Sequence, residues 1–215
     1  MKYFAFVITL SVALTSCVLI GQQGPEKLNC PTYDATFLNT WFPYTEGNTY
    51  YFKDSTGNRH FLEIQHVMYR NGDEVEEGWN CMPATECYPS GNISAYRDRD
   101  QEDRMWLSVI HSYDKSEENL VMIVNGHNTY MLVNSDGSIR LDPTYYDRPE
   151  DYYKEYKPDF IHHDKLSLNE VTYTDVYEVT YHKNDMGDAR TYYFAKGHGI
   201  VGYSTFAGSY YGLEQ

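Results

Sequence analysis

Basic side chains are scarce in this chain: 17 Lys and Arg stand against 31 Asp and Glu, a formal charge of −14. A polyanion would be repelled, so no nucleic-acid partner is expected, because such binding needs a basic footprint that displaces counterions. The same deficit disfavours adsorption to anionic headgroups, and any membrane contact has to come from a tether. Cysteine is sparse as well, four in all, too few and too poorly spaced for a structural zinc site. Catalytic signatures are missing. There is no Gly-x-Ser-x-Gly elbow, no His-Glu-x-x-His, and no cysteine in the setting of a known nucleophile. Nor does a repeat of fixed period emerge. No enzymatic activity, cofactor or metal is expected on these grounds.

Apolar residues are concentrated at the start of the chain. Lys2 is followed by an apolar run from Tyr3 to Leu10 that continues through Val12, Ala13 and Leu14, the layout of a secretory signal. Leu14-Thr15-Ser16-Cys17 closes it. Those four residues resemble the bacterial lipobox, a branched aliphatic and two small residues before a cysteine. The resemblance implies cleavage before Cys17 and a diacylglycerol thioether on Cys17, which becomes the new amino terminus. Two other readings stay open: a single N-terminal membrane helix over the 18 residues Tyr3 to Ile20, and ordinary secretory cleavage near Gly21. In all three the rest of the chain leaves the cytoplasm.

Export permits disulfides, and Cys30, Cys81 and Cys87 follow the signal. An odd number cannot all pair within one chain. Cys81 with Cys87 is the preferred pair, because a short separation raises effective concentration; Cys30 bonded to either would instead pin the N-terminal segment onto the domain. Residues 1–16 are therefore read as a lipoprotein signal peptide and 17–30 as a lipidated spacer containing Gly24-Pro25. Residues 31–215 are read as one antiparallel β domain.

The 23 Tyr and 9 Phe favour strands over long helices. Thr49 to Lys53 and Arg59 to Tyr69 flank the turn-rich Asp54-Ser55-Thr56-Gly57-Asn58, with Leu62, Ile64, His66 and Met68 expected on one face. Gly72 to Arg104 reads as loop. Strands are expected at Met105 to Tyr113, Leu120 to Val124, Thr129 to Val133 and Ser138 to Leu141. Asp142 to Asp164, broken by Pro143, Pro149 and Pro158, reads as a long aromatic excursion, with two helical turns allowed at Glu150 to Tyr156. Val171 to Tyr181, Ala189 to Lys196 and a last strand Ile200 to Phe206 complete the set. The expected fold is mainly β: one antiparallel sandwich or a curved, partly open barrel.

Trp41-Phe42-Pro43-Tyr44-x-x-Gly47-Asn48-x-Tyr50 with Asp54-x-x-Gly57 forms one motif. Tyr173-x-x-Val176-Tyr177-x-Val179 and Tyr192-Tyr193-x-Ala195-Lys196-Gly197-x-Gly199-Ile200-Val201-x-Tyr203 form the other. Together they resemble uncharacterised lipoproteins of Bacteroidota. The resemblance implies the envelope of a Gram-negative bacterium, with the outer membrane as the expected address. It brings no catalytic residues.

The candidate binding groups are aromatic. Tyr145, Tyr146, Tyr152, Tyr153 and Tyr156 lie outside the expected strands, where exposed rings would stack on a sugar or on a partner's apolar surface. Gly197-His198-Gly199-Ile200-Val201-Gly202 matches the dinucleotide fingerprint literally, but the aromatic, Gly-broken segment after it is unsuited to the helix that site needs, so a tight β connection is expected. His162-His163-Asp164 is the densest set of metal-ligand types, yet neighbours on a strand face opposite ways. Asp98-x-Asp100-x-x-Asp103 and Asn134-x-Asp136-Gly137 offer oxygen ligands without reproducing a twelve-residue calcium loop. The expected function is a non-catalytic, lipid-anchored binding or interaction module of the envelope, held to the membrane by its N-terminal lipid, with an envelope protein, a glycan or an apolar ligand as the candidate partners. Alternatives are a carrier whose concave sheet, lined by Leu62, Ile64, Met68, Leu107, Val109 and Met131, holds an apolar ligand, and a glycan-binding or glycan-cleaving protein.

Overall fold

Where period-two alternation coincides with apolar cover on one face, the chain forms strands. The computed structural model describes residues 30–71, 89–95, 104–114, 117–147, 156–184 and 187–214. Strands β1 (Thr49–Lys53) and β2 (Arg59–Glu63) make the first hairpin. The Asp54 carboxylate closes its turn by accepting the Thr56 and Asn58 amides at 2.8 Å each, the local bonding that makes Asp a turn residue. Strands β3 (His66–Arg70), β4 (Ser90–Ala95), β5 (Leu107–Asp114), β6 (Glu117–Val124), β7 (His127–Val133) and β8 (Ile139–Leu141) follow. Each pairs antiparallel with the next, giving a six-stranded sheet. A second run comprises β9 (Asp159–Leu168), β10 (Val171–Thr180), β11 (Ala189–Ala195), β12 (Gly199–Thr205) and β13 (Tyr210–Leu213). Because β13 pairs with β1, this run joins the first hairpin in a seven-stranded sheet of order β2-β1-β13-β12-β11-β10-β9. Helices α1 (Thr36–Trp41) and α2 (Pro143–Tyr146) are short.

Among the described residues the protein is mainly β, with two antiparallel sheets and no closed barrel. The inward rows of both sheets meet in one core. Val109, Leu120 and Met122 come from the six-stranded sheet, and Tyr177, Val179, Phe194 and Tyr203 from the other. Buried tyrosines need hydrogen-bond partners, and they find them across the core. The Thr129 hydroxyl bonds those of Tyr181 and Tyr192, while the Tyr177 hydroxyl accepts the Ile139 amide at 2.8 Å.

Several boundaries differ from the sequence reading. The run Arg59 to Tyr69 is two strands in two sheets. Ile64 still bonds Asn48 on the first sheet, whereas the Gln65 amide donates to Ser94 on the second at 2.8 Å. Crossing over reverses the alternation, so Val67 packs on the core while His66 and Met68 are exposed. Strand β4 lies inside the stretch read as loop, its Ser, Gly and Asn residues hiding the pattern. The excursion ends earlier than expected, because β9 occupies Asp159–Leu168; α2 precedes it, and residues 150–155 lie outside the described residues. Finally, β13 follows the strand read as last.

Asp175 interrupts β10 with φ +50°. Beyond it the β9–β10 hairpin tip packs onto the outer face of the seven-stranded sheet. Tyr173, Leu166, Leu168 and Val171 join Val176 and Ala195 in a cluster that includes Val201 and Leu213, from strands two and three positions away from β10. Gly212 leaves the space this requires: a Cβ there would sit 1.9 Å from Asn169 Nδ2.

Candidate functional site

Among the described residues, two places hold groups with recognisable chemistry. The first lies where the described chain enters the sandwich. Along β5 the inward positions are Leu107, Val109 and then His111, so the phase that fills the core places an imidazole in it. His111 has no solvent exposure. Its Nδ1 lies 2.6 Å from the Tyr33 hydroxyl and its Nε2 2.7 Å from Glu118 Oε1. A carboxylate can only accept, so Nε2 carries the proton and donates to Glu118, while the Tyr33 hydroxyl donates to Nδ1.

The surroundings are aromatic and tight. Phe37 stacks on the imidazole at 4.6 Å and Tyr113 meets it edge-on at 5.1 Å. Gly91 on β4, opposite His111, leaves room for the Tyr33 ring; a Cβ there would lie 2.6 Å from its hydroxyl. The Tyr33 amide donates to Asn71 Oδ1 at 3.0 Å. Burial lowers the His111 pKa below its ordinary 6.5 despite the opposing Glu118 and Asp34 carboxylates. Burial, followed by Tyr113, Tyr69 and the same carboxylates, raises the Tyr33 hydroxyl well above its usual 10.

Carboxylate, imidazole and hydroxyl in series are the parts of a nucleophilic relay. Here the hydroxyl belongs to a residue 6% exposed, is held in its neutral form, and has a filled space on the Gly91 side. A nucleophile must reach a substrate, and this one is closed. The arrangement locks the entry segment onto the sandwich.

The second place is the outer face of the six-stranded sheet. Cross-strand register aligns Asn92, Ile110, Val121 and Tyr130 in one row. Ser94, Ser108, Ile123 and Asn128 form the next, and Ser90, Ser112, Asn119 and Leu132 a third. None of these outward positions on β4–β7 carries an ionic side chain, although 22% of the chain is charged. Charge borders these strands: the third row continues to Arg70 on β3 and to Arg140 on β8, and Asp114 and Glu117 stand at the β5–β6 tip. Ile110, Val121, Ile123 and Tyr130 keep part of their surface in solvent, whereas Ser94 and Leu132 are buried. At the margin Tyr145 stacks on Tyr130, ring centres 3.6 Å apart and planes 9° from parallel.

The aromatic candidates therefore separate. Tyr145 belongs to this face. Tyr146 does not: it is 2% exposed, because its hydroxyl accepts the Tyr130 amide at 3.2 Å and seals β7 beyond the end of β8. Tyr156 is partly buried, with Lys183 5.2 Å above its ring. Tyr152 and Tyr153 lie outside the described residues, as do Cys17, Cys81 and Cys87. Cys30 is disulfide-bonded; all other cysteines fall outside the described residues, its partner among them.

His162 and His163 face opposite ways, the first 4.8 Å from the Tyr177 ring and the second 3.0 Å from Glu178. Asp136 is engaged in its own turn by Ser138, and Asp98, Asp100 and Asp103 lie outside the described residues. Gly197 and Gly199 adopt φ +80° and +73° and lead into β12, a tight β connection. Of the side chains assigned to a concave lining, Leu62, Ile64, Leu107, Val109 and Met131 are fully buried in the core, and Met68 alone is open, at 40%.

Comparison with known proteins finds no matching family model, curated protein or solved structure. The chemistry of these two places rests on their own residues. Sequence reasoning missed both. The relay was signalled by His111 falling in the inward phase of Leu107 and Val109, and the face by the run of Ser and Asn that made β4 look like loop.

Proposed function

We propose that the protein is a lipid-anchored envelope lipoprotein whose β domain is a non-catalytic binding module, and that its partner docks on the outer face of the six-stranded sheet. The observation that carries this reading is the uncharged, partly apolar surface formed by the outward rows of β4–β7. Charged residues are depleted at the centres of protein interfaces because desolvating them is costly. A sheet face whose central strands are uncharged, on a chain of net charge −14, fits a protein partner in the envelope better than a charged ligand. Export is supported by the Leu14-Thr15-Ser16-Cys17 motif and by the disulfide at Cys30.

Two experiments test it. Membrane fractionation and intact mass of the wild type beside Cys17→Ala should give an acylated, membrane-bound protein that becomes unmodified and soluble in the variant. A photo-reactive amino acid at Val121 should trap a defined envelope protein in cells, whereas the same probe at Lys165 should not. Equal trapping at both positions, or turnover of a glycan substrate by the purified domain, would overturn the binding-module reading.

A further inference from the structure

We infer that Tyr33, His111 and Glu118 form a proton-sensitive latch that holds the entry segment, residues 31–35, on the end of the sandwich and releases it on acidification, while the disulfide at Cys30 keeps the segment tethered. The inference is independent of the lipid anchor and of the docking face. In the docked state Tyr33 O–H donates to Nδ1 and Nε2–H donates to Glu118, so a neutral ring meets both of its needs. A proton from solvent can add only at Nδ1. That turns the acceptor into a donor, forces the Tyr33 hydroxyl to reverse, and strips its hydrogen of the partner it had. It also leaves an imidazolium at a position with no solvent exposure, whose desolvation is costly.

The groups around the ring fix the sign. The entry segment contributes Tyr33 and Asp34, β5 contributes Tyr113, and β6 contributes Glu118. Tyr69 on β3 stands behind Tyr33 at 5.6 Å, while Phe37 on α1 and Gly91 on β4 bring no charge. The two carboxylates favour the imidazolium, yet burial prevails and the docked ring binds its proton less readily than a free one. Undocking opens the Tyr33 side of His111 to water and so raises its affinity for a proton back toward the ordinary one. Below pH 6.5 protons therefore favour the undocked segment, by up to about tenfold per pH unit until the docked ring itself titrates.

The test is nuclear magnetic resonance on the full chain. Long-range ¹⁵N correlations should show a His111 ring protonated at Nε2 at pH 7.5. Exchange of the Tyr33 amide, corrected for intrinsic rate, should be faster than that of the core Val179 amide, which marks local opening. Its protection should fall roughly tenfold per pH unit as pH drops below about 6.5, and the fall should vanish in His111→Gln. Glu118→Gln keeps an acceptor but removes a charge favouring the imidazolium; it should move the docked ring's titration to lower pH. The latch is overturned by the opposite tautomer, by Tyr33 protection that does not respond to pH, by an unchanged response in His111→Gln, or by Tyr33 and Val179 exchanging at the same rate. If His111→Gln does not fold, an unmoved ring titration in Glu118→Gln has the same force.

Discussion

The Tyr44 hydroxyl accepts the backbone amide of Ile200 at 2.7 Å, across 156 residues of chain. It does so where Gly199, at φ +73°, has no side chain to intrude; a Cβ there would lie 2.4 Å from that oxygen. The Gly197 amide donates to the Thr40 carbonyl at 2.7 Å, and Phe42 stacks on Phe194 at 5.8 Å. The two motifs at opposite ends of the domain are thus one packed unit. Tyr44→Phe leaves the Ile200 amide buried without an acceptor and should cost about 1–3 kcal/mol. Urea denaturation should show a lower midpoint at unchanged slope; no change in midpoint would mean that the hydroxyl is dispensable.

Gly91→Ala tests the seat of Tyr33. The added methyl has to displace the ring, so a loss of about 1–3 kcal/mol is expected, as for other overpacked sites. The same substitution at Gly137, where nothing lies within 4 Å but φ is +80°, should cost only the backbone strain, about 1–2 kcal/mol. Tyr33→Phe with Gly91→Ala should lose less than the sum of the two single changes, since they share the contact.

Glu170 should be improvable. With Asn169 it forms the two-residue turn between Leu168 and Val171, at φ +48° and +68°. Such turns favour Asn-Gly, because the left-handed region penalises a side chain. Glu170→Gly is expected to gain about 1 kcal/mol, seen as a higher thermal midpoint; a loss would show that Glu170 makes a contact worth more than the strain.

Overall stability should also depend on pH through His111. Its folded pKa is depressed below 6.5, so the unfolded chain binds the proton more readily. The contribution is fully present above pH 6.5 and is lost as pH falls from there through the folded value. The difference in unfolding free energy between wild type and His111→Gln should therefore narrow between pH 7.5 and 5, and a constant difference would refute the assignment.

Val121→Lys on the uncharged face should leave stability within about 0.5 kcal/mol, as for a surface change away from special features. The same change should abolish the cross-link trapped by a photo-reactive residue at the neighbouring Ile123. Retained cross-linking would remove this face from consideration.

Much of the fold was legible because strands with one face in the core must alternate. β1, β6, β7 and β10 fall close to where Phe52, Leu120, Met131 and Val179 mark an inward phase. What escaped notice lacked that mark. β9 is an edge strand whose burial pattern is mostly exposed, and β4 uses Gly91 to receive a ring rather than an apolar side chain to fill space. The switch at Ile64 and Gln65 is invisible to periodicity, since alternation reports a face and not which sheet owns it. The relay is a relation between Tyr33 and Glu118, far apart in sequence and joined only through His111. Tyr146 misled for the opposite reason: a tyrosine outside the strands read as surface, although an unpaired stretch of β7 required its hydroxyl.

The pairing of β13 with β1 sets a timetable for folding. The six-stranded sheet consists of neighbours in sequence, so it can assemble hairpin by hairpin. The first hairpin has no such neighbour. Its Phe52 waits for Leu213, and until that late strand arrives the unpaired backbone edge of β1 is open to other chains. Slow synthesis or premature termination before Tyr210 would leave that edge bare, making holdases and proteases the natural arbiters of how much of this protein survives.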